Sequence, residues 1–370
     1  SMYPAIMVQF NVSPETVGCA CCPDNRVPEI GYSVCRQRRG LVPLTLQPLL
    51  EKRMQYKRMI KTMPDGYTRE VLRSRQMAQK WLLVCCFGYL GYKNARFGRI
   101  ESHEAVTAYG RECLLRAKEA AEDLGFNVLH MYVDALWVQR AGATQPDFAT
   151  LLEAITARTG LPIALEGIYR WVAFLPSKVD GRVPVANRYF GIFQSGEFKK
   201  RGIEARQANT APFVGRLQNQ VLAQMARVPD GQPLAACLPA VKRLFDQTLI
   251  DLKEGRIPPE QLLVSQRLSR QLADYRVPSH AARAAHQLQA AGKELRPGQR
   301  VRFVYTHGAR RVHAWDAPQA LQPAAPDIAY YTELMLRAMC TVLYPLGLAE
   351  TTLRSWLLYG VYQLSLFLPA

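Results

Sequence analysis

The sequence predicts an α+β fold, mixed up to about residue 209 and mostly helical after it. Three observations carry this. Leu46, Leu49, Leu50, Arg53, Met54, Lys57 and Ile60 recur at three- and four-residue intervals, the period of a helix. Short runs rich in β-branched and aromatic residues at 127–138, 168–174 and 188–203 read as strands. After Pro212 the apolar residues return to helical spacing in longer runs.

In chain order, residues 3–10 are short and apolar, and Asn11-Val12-Ser13-Pro14-Glu15 reads as a turn and a helix start. Residues 19–39 are loop-like, with cysteine, proline and glycine close together. Pro43 marks a helix N-terminus. Pro64-Asp65-Gly66 is a turn signal, and a second helix follows over 67–84. Two helices so closely joined make an antiparallel hairpin. Gly88, Gly91 and Gly98 punctuate the chain before a helix at 102–124. Residues 127–138 read as one strand, alternating across Tyr132, Asp134 and Leu136. A helix at 148–159, a strand at 168–174, a turn at 178–182 and a hairpin of 188–193 with 197–203 come next. Helices at 213–227, 238–253, 259–273, 280–291 and 327–346 follow, interrupted by a short strand at 300–305.

The chain has 370 residues, with 47 Lys+Arg against 30 Asp+Glu, a formal charge of +17. It is 49% hydrophobic, which excludes disorder as the main state. The apolar stretches at 81–91 and 356–369 fall short of the roughly 20 residues a bilayer needs, so no membrane partner is expected. Such a cation excess points to a polyanion. It is concentrated, with eight Lys/Arg and one acid, Glu51, over 36–61. That run is either a binding face or a solvated helix face. Nine cysteines in this length do not make a secreted disulfide scaffold, and a reducing cytoplasm is the expected compartment. Cys19, Cys21, Cys22 and Cys35 offer four thiolates for Zn²⁺. Adjacent cysteines rarely both ligate one ion, so the alternative is four ordinary reduced thiols.

Seven local motifs, in order, resemble the polymerase module of family B DNA polymerases. Ser1-Met2-Tyr3-Pro4-Ala5-Ile6-Met7 resembles the tail of the first palm motif, D-x-x-S-L-Y-P-S-I. Arg53 and Lys57 match R-x-x-x-K, and Lys80 with Phe87-Gly88 is similar to K-x-x-x-N-S-x-Y-G. Thr107-Ala108-Tyr109-Gly110-Arg111 resembles T-x-x-G-R, and Tyr132-Val133-Asp134-Ala135-Leu136-Trp137 sits where the family has Y-x-D-T-D-S. Asn187-Arg188-Tyr189-Phe190-Gly191 resembles K-K-R-Y-x-G, and Arg201-Gly202-Ile203-Glu204 resembles K-G-x-E. The departures are similar to those of a divergent prokaryotic branch.

The resemblance implies a right hand. Residues 1–42 and 93–209 would form a mixed α/β palm, 43–92 helical-hairpin fingers, and 210–370 a mostly α thumb. It implies binding of primer–template DNA and a deoxynucleoside triphosphate, in a prokaryotic cytoplasm beside the nucleoid. Replication or repair accessory proteins are implied partners. The family's N-terminal and exonuclease regions, and the first-motif aspartate three residues before Ser1, would lie upstream.

By the resemblance, Arg53, Lys57 and Lys80 hold the triphosphate, and Tyr3 packs under the incoming sugar. Asn187, Arg188, Tyr189, Lys200, Arg201 and Gly202 contact the duplex. Asp134 is the catalytic carboxylate and a ligand of Mg²⁺ or Mn²⁺. Nucleotidyl transfer uses two divalent ions held by carboxylates. Leu136 stands where the second aspartate of the strand motif belongs, and leucine cannot ligate a cation. The implied activity is DNA-directed DNA synthesis, weak or lost in this chain alone. The alternative is a catalytically inactive, polymerase-like DNA-binding or assembly subunit.

Overall fold

The apolar run at the start of the chain is a helix, α1 (Met2–Gln9), with Ile6 and Met7 fully buried. It is the first element of a computed structural model that describes residues 2–177, 179–181, 183–317 and 325–360. The chain separates into two units, residues 1–166 and 167–370. The segment 93–209 is therefore shared between them.

In the first unit, the turn after α1 does not open a helix. Asn11 (φ +55°) reverses the chain, and residues 12–40 form a loop with two isolated β-bridges, Val17 with Val34 and Arg26 with Ser33. Ser13 and Glu15 spend their side chains on capping a later helix. Glu15 Oε1 accepts from Leu41 N–H at 2.5 Å, and Ser13 Oγ accepts from Val42 N–H at 3.2 Å. Those donors open α2 (Leu41–Thr62), whose own N-cap, Gly40, has no side chain to offer. The hairpin closes with α3 (Tyr67–Leu90), and Leu46, Leu72, Leu83 and Leu90 bury its inner face. Next comes α4 (Ile100–Asp123), whose buried alanines at 105, 108, 117, 120 and 121 allow close packing.

The run at 127–138 is not one strand. It folds on itself as β1 (Asn127–Tyr132) and β2 (Ala135–Gln139), with Tyr132 opposite Ala135 and Met131 opposite Leu136. The two residues between are the turn, with Val133 at φ +52°. A β-branched residue rarely adopts that region, so pattern alone argued against a turn here. The unit ends with α5 (Gln145–Thr159), whose first turn is tied by Asp147 accepting from the N–H and hydroxyl of Thr144.

In the second unit, β3 (Tyr169–Pro176), β4 (Pro184–Phe193) and β5 (Phe198–Arg201) form an antiparallel sheet in that order. Positions 178 and 182 of the expected turn lie outside the described residues. A 3₁₀ turn (Glu204–Arg206) leads to α6 (Pro212–Ala226) and α7 (Leu238–Lys253). The helix expected at 259–273 is absent. A 3₁₀ turn (Pro259–Gln261), a strand β6 (Val264–Arg267) and a second 3₁₀ turn (Leu272–Asp274) replace it. Leu262 and Val264 are buried two residues apart, and pairing of β6 with a later strand overrides local helical spacing.

That partner follows α8 (His280–Ala290): β7 (Arg300–Tyr305) pairs with β6 and with β8 (Val312–Ala314). The unit continues through α9 (Ile328–Leu343) and α10 (Glu350–Tyr359). The last helix takes up the start of the apolar run at 356–369, whose remainder lies outside the described residues. Phe190, Phe245, Phe303 and Tyr331 are fully buried in one core joining the β3–β5 sheet to the helices. Among the described residues no helix is long and apolar enough to cross a membrane.

Candidate functional site

Arg53 and Lys57 lie one turn apart on α2, so they share one face of that helix. Arg53 is only 6% exposed. With the Gln76 carboxamide turned oxygen-inward from α3, that oxygen accepts from Arg53 Nη2 at 3.0 Å and Nε at 3.2 Å. The Lys57 ammonium is drawn below its ordinary pKa, first by burial, then by the charges of Arg53, Lys61 and Lys80. Lys80, exposed on α3, thus acts on Lys57 within the hairpin. Among the described residues none of these three cations has a carboxylate partner, whereas Arg69 and Arg73 both meet Asp65 near the hairpin's turn. The three cations thus leave an excess of positive charge on the hairpin with no acid to offset it.

Tyr3 of α1 packs at a tilt against Phe87 of α3, ring centroids 4.3 Å apart, and Phe87 stacks on His103 of α4 at 4.1 Å. A Cβ at Gly110 would lie 3.3 Å from the Tyr3 ring, so glycine there admits the tyrosine closely. The Tyr3 hydroxyl is held above its ordinary pKa by burial, then by the charges of Asp134 and Tyr132, with Arg111 opposing. Tyr3, Asp134 and Arg111 therefore share one electrostatic neighbourhood. Arg111 Nε donates to Glu29 at 2.9 Å.

Asp134 is exposed in the β1–β2 turn rather than on a strand face. Leu136 is half-buried and packs with Val138 toward Phe126, Leu151 and Ile155. Position 136 is thus a packing position in this unit. Its side chain offers no oxygen, and among the described residues the only cluster of three or more metal-ligating side chains is the four cysteines. The donors of this chain do not fit a two-ion carboxylate site. No step through Mg²⁺ or Mn²⁺ follows from them.

The four cysteines do come together. The Sγ atoms of Cys19, Cys21, Cys22 and Cys35 all lie within 4.8 Å of one another.

In the second unit, Tyr189 of β4 is opposite Arg201 of β5, and Phe190 is opposite Lys200. Asn187, Arg201 and Gly202 are exposed. Lys200 is half-buried and donates to Asn219 Oδ1 at 2.6 Å. Gly202 has φ +63°, and a Cβ there would lie 2.4 Å from the Asn187 carbonyl oxygen. Only glycine fits this position. Tyr189 is buried, its ring 5.8 Å from Phe174, and Arg188 donates to Glu204 at 3.4 Å and to Thr341 at 3.2 Å. These two hold the hairpin in place, while Asn187, Arg201 and Gly202 remain exposed on it and Lys200 is half-buried against Asn219.

A profile of DNA polymerase family B matches residues 1–143 and 185–345. The chain belongs to DNA polymerase family B. The DNA polymerase of Thermococcus sp. (strain 9oN-7) is 29% identical over 366 residues, covering 96% of this chain and 45% of that protein. DNA polymerase 2 of Saccharolobus solfataricus is 34% identical over 203 residues, 55% of this chain and 28% of its own length. The solved family B DNA polymerase from Pyrobaculum calidifontis superposes with a TM-score of 0.62 at 25% identity, over 94% of this chain and 44% of that one. The family B chain described here spans less than half the length of these relatives.

Two groups in this family B chain escaped the motif reading. Gln76 pairs with Arg53, and a polar residue one helical turn before Lys80 on the same helix was the available signal. The second is a buried knot around Glu204. Its Oε1 accepts from Thr341 at 3.0 Å, and its Oε2 accepts from Gln218 Nε2 at 2.8 Å. Gln218, fully buried, also donates to the Ala338 carbonyl at 2.9 Å and accepts from Ala205 N–H at 2.7 Å. Partners so far apart in sequence leave no local signal.

Proposed function

We propose that this module binds a deoxynucleoside triphosphate on α2 and α3 and primer–template DNA through the β4–β5 hairpin. The observation that carries the first part is the set of Arg53, Lys57 and Lys80, mutually repelling and without a carboxylate partner. A triphosphate supplies the missing negative charge, and charge-assisted contacts to phosphate are strong. Tyr3, lying over Gly110 and against Phe87, would pack under the nucleotide's sugar. Asn187, Lys200, Arg201 and Gly202 present donors and a close-approach backbone to the duplex, with Arg188 and Tyr189 holding them in register. Template-directed nucleotidyl transfer is the reaction proposed for the whole protein. Asp134 is the residue of this chain that would serve it.

A second reading is favoured by Leu136. Its packing toward Phe126 and Leu151 supports a module kept for binding, with synthesis weak or lost. Single-nucleotide primer extension by the whole protein in Mg²⁺ and in Mn²⁺ separates the two, with Asp134→Ala and Leu136→Asp alongside. Extension that Asp134→Ala abolishes establishes the enzyme. DNA and nucleotide binding without extension, with synthesis gained in Leu136→Asp, establishes the binding module. Failure to bind either ligand would end both.

A further inference from the structure

We propose that Cys19, Cys21, Cys22 and Cys35 form a structural zinc site that clamps the loop between α1 and α2. Their four sulfurs lie within 4.8 Å of one another, with Cys21 and Cys35 at 3.6 Å and Cys21 and Cys22 at 3.7 Å. A tetrahedral tetrathiolate with Zn–S bonds of about 2.3 Å sets its sulfurs about 3.8 Å apart. The cluster is therefore already near the size of a closed, four-coordinate site.

Backbone contacts, not the sulfurs, bring the cysteines together. Gly18 (φ +75°) turns the chain just before Cys19, and its N–H donates to the Ser33 carbonyl at 2.7 Å. Cys35 N–H donates to the Thr16 carbonyl at 2.9 Å, and Val34 N–H to the Asn25 carbonyl at 2.8 Å. The Ser33 hydroxyl donates to the Cys19 carbonyl at 2.5 Å. The residue pair Cys21-Cys22, unusual as two ligands of one ion, is accommodated because the loop bends between Ala20 and Pro23.

The surroundings suit a thiolate centre. Arg36 N–H donates to Cys22 Sγ at 3.2 Å, the outer bond that steadies a metal-bound sulfur. Four thiolates with one Zn²⁺ carry a net charge of about −2. Arg36 follows Cys35 directly, and Arg38 and Arg39 lie within four residues of it, so the segment around the cluster is cationic. Paired oxidation is the rival chemistry, and it would join the sulfurs two by two rather than gather all four about one point. A cluster that gathers all four within 4.8 Å of one another favours the metal.

The clamp has a place to act. Asn11 donates from Nδ2 to the carbonyls of Cys35 at 2.8 Å and Arg38 at 2.9 Å, and accepts from Gly40 N–H at 2.8 Å. Gly40 leads straight into α2. Val17, Val27 and Val34 of the loop share a buried cluster with Leu46 of α2 and Leu83 of α3. Zinc would thus steady the base of the hairpin that carries Arg53, Lys57 and Lys80.

The test is metal analysis of the whole protein purified without chelator, beside Cys19→Ser and Cys22→Ser. One zinc per chain in the unaltered protein, and at least a tenfold loss of Zn²⁺ affinity in each variant, is expected. Stripped protein titrated with Co²⁺ alone should develop the visible bands of a tetrahedral tetrathiolate. Four free thiols without bound metal, or a Cys21–Cys35 disulfide in protein kept anaerobic, would overturn the proposal. So would Zn²⁺ binding undiminished in Cys22→Ser. Should a variant fail to fold, the zinc content and the Co²⁺ spectrum of the unaltered protein decide the matter.

Discussion

Lys57 is the residue whose chemistry reports most directly on its ligand. Burial and the charges of Arg53, Lys61 and Lys80 favour its neutral form in the free protein. A bound polyanion reverses that preference, so binding takes up protons wherever free Lys57 is partly neutral. Nucleotide affinity should fall as pH rises through the lowered Lys57 pKa, below the ordinary 10.5. Calorimetry at alkaline pH, in two buffers of unlike ionisation enthalpy, measures the uptake. Uptake that persists unchanged in Lys57→Gln would count against the assignment. Gly202 supports a prediction of another kind. At φ +63°, with the Asn187 carbonyl 2.4 Å from any added Cβ, Gly202→Ala must move backbone. It should lower stability by about 2 kcal/mol, read as a drop in the urea midpoint, and an unshifted midpoint would refute the close approach.

At the scale of elements, the order of helices and strands reflects side chains that act on distant backbone. α2 begins where it does because Glu15 and Ser13, more than twenty residues upstream, accept from its first N–H groups. Burial works against the Glu15 carboxylate, but bonds from Ser13 and Leu41 and the Arg38 charge keep its pKa below the ordinary 4.5. Its contribution is present above that value and is lost as pH falls through the lowered one. Glu15→Ala should cost about 1 kcal/mol at neutral pH and progressively less in acid, and a pH-independent cost would exclude the cap. Deeper in the second unit, Gln218→Met keeps volume but leaves Ala205 N–H, the Ala338 carbonyl and Glu204 short of a partner. The expected loss is about 2–4 kcal/mol by denaturant titration, and a neutral effect would deny that the knot is structural. The same contrast explains what could be read beforehand. The α2–α3 hairpin, α4 and the β4–β5 pair were legible because their apolar period is local. The β1–β2 turn was not, since Val133 at positive φ breaks the usual turn chemistry. β6 was missed because its partner, β7, lies more than thirty residues on. Arg53, Lys57 and Lys80 were legible as a motif, whereas Gln76 was signalled only by its place one turn before Lys80, and Gln218 bonds to partners too distant in sequence to be read.

Across the whole molecule, the charge of +17 is distributed between two classes of cation. Some are committed to the fold: Arg170 to Asp230, Arg302 to Asp316, Arg354 to Glu333 and Glu350. Removing one of these should disturb stability and leave polyanion binding almost as it was. Others lack a carboxylate partner among the described residues, and these should carry the ligand-linked ions. Each phosphate contact releases about 0.9 counterion from duplex DNA, so the slope of log affinity against log salt counts the cations engaged. Lys200→Ala with Arg201→Ala should flatten that slope by roughly two for any duplex sequence. Lys80→Ala should leave the slope alone while weakening nucleotide binding about tenfold, the loss of one charge-assisted contact of roughly 1.4 kcal/mol. Filter binding of duplex DNA across a salt series, with nucleotide titrations in parallel, checks both. If Lys80→Ala flattens the duplex slope as much as the hairpin pair does, the cations form one undivided basic surface. The division of labour between the α2–α3 helices and the β4–β5 hairpin would then fall, because an undivided surface cannot lose one ligand and keep the other.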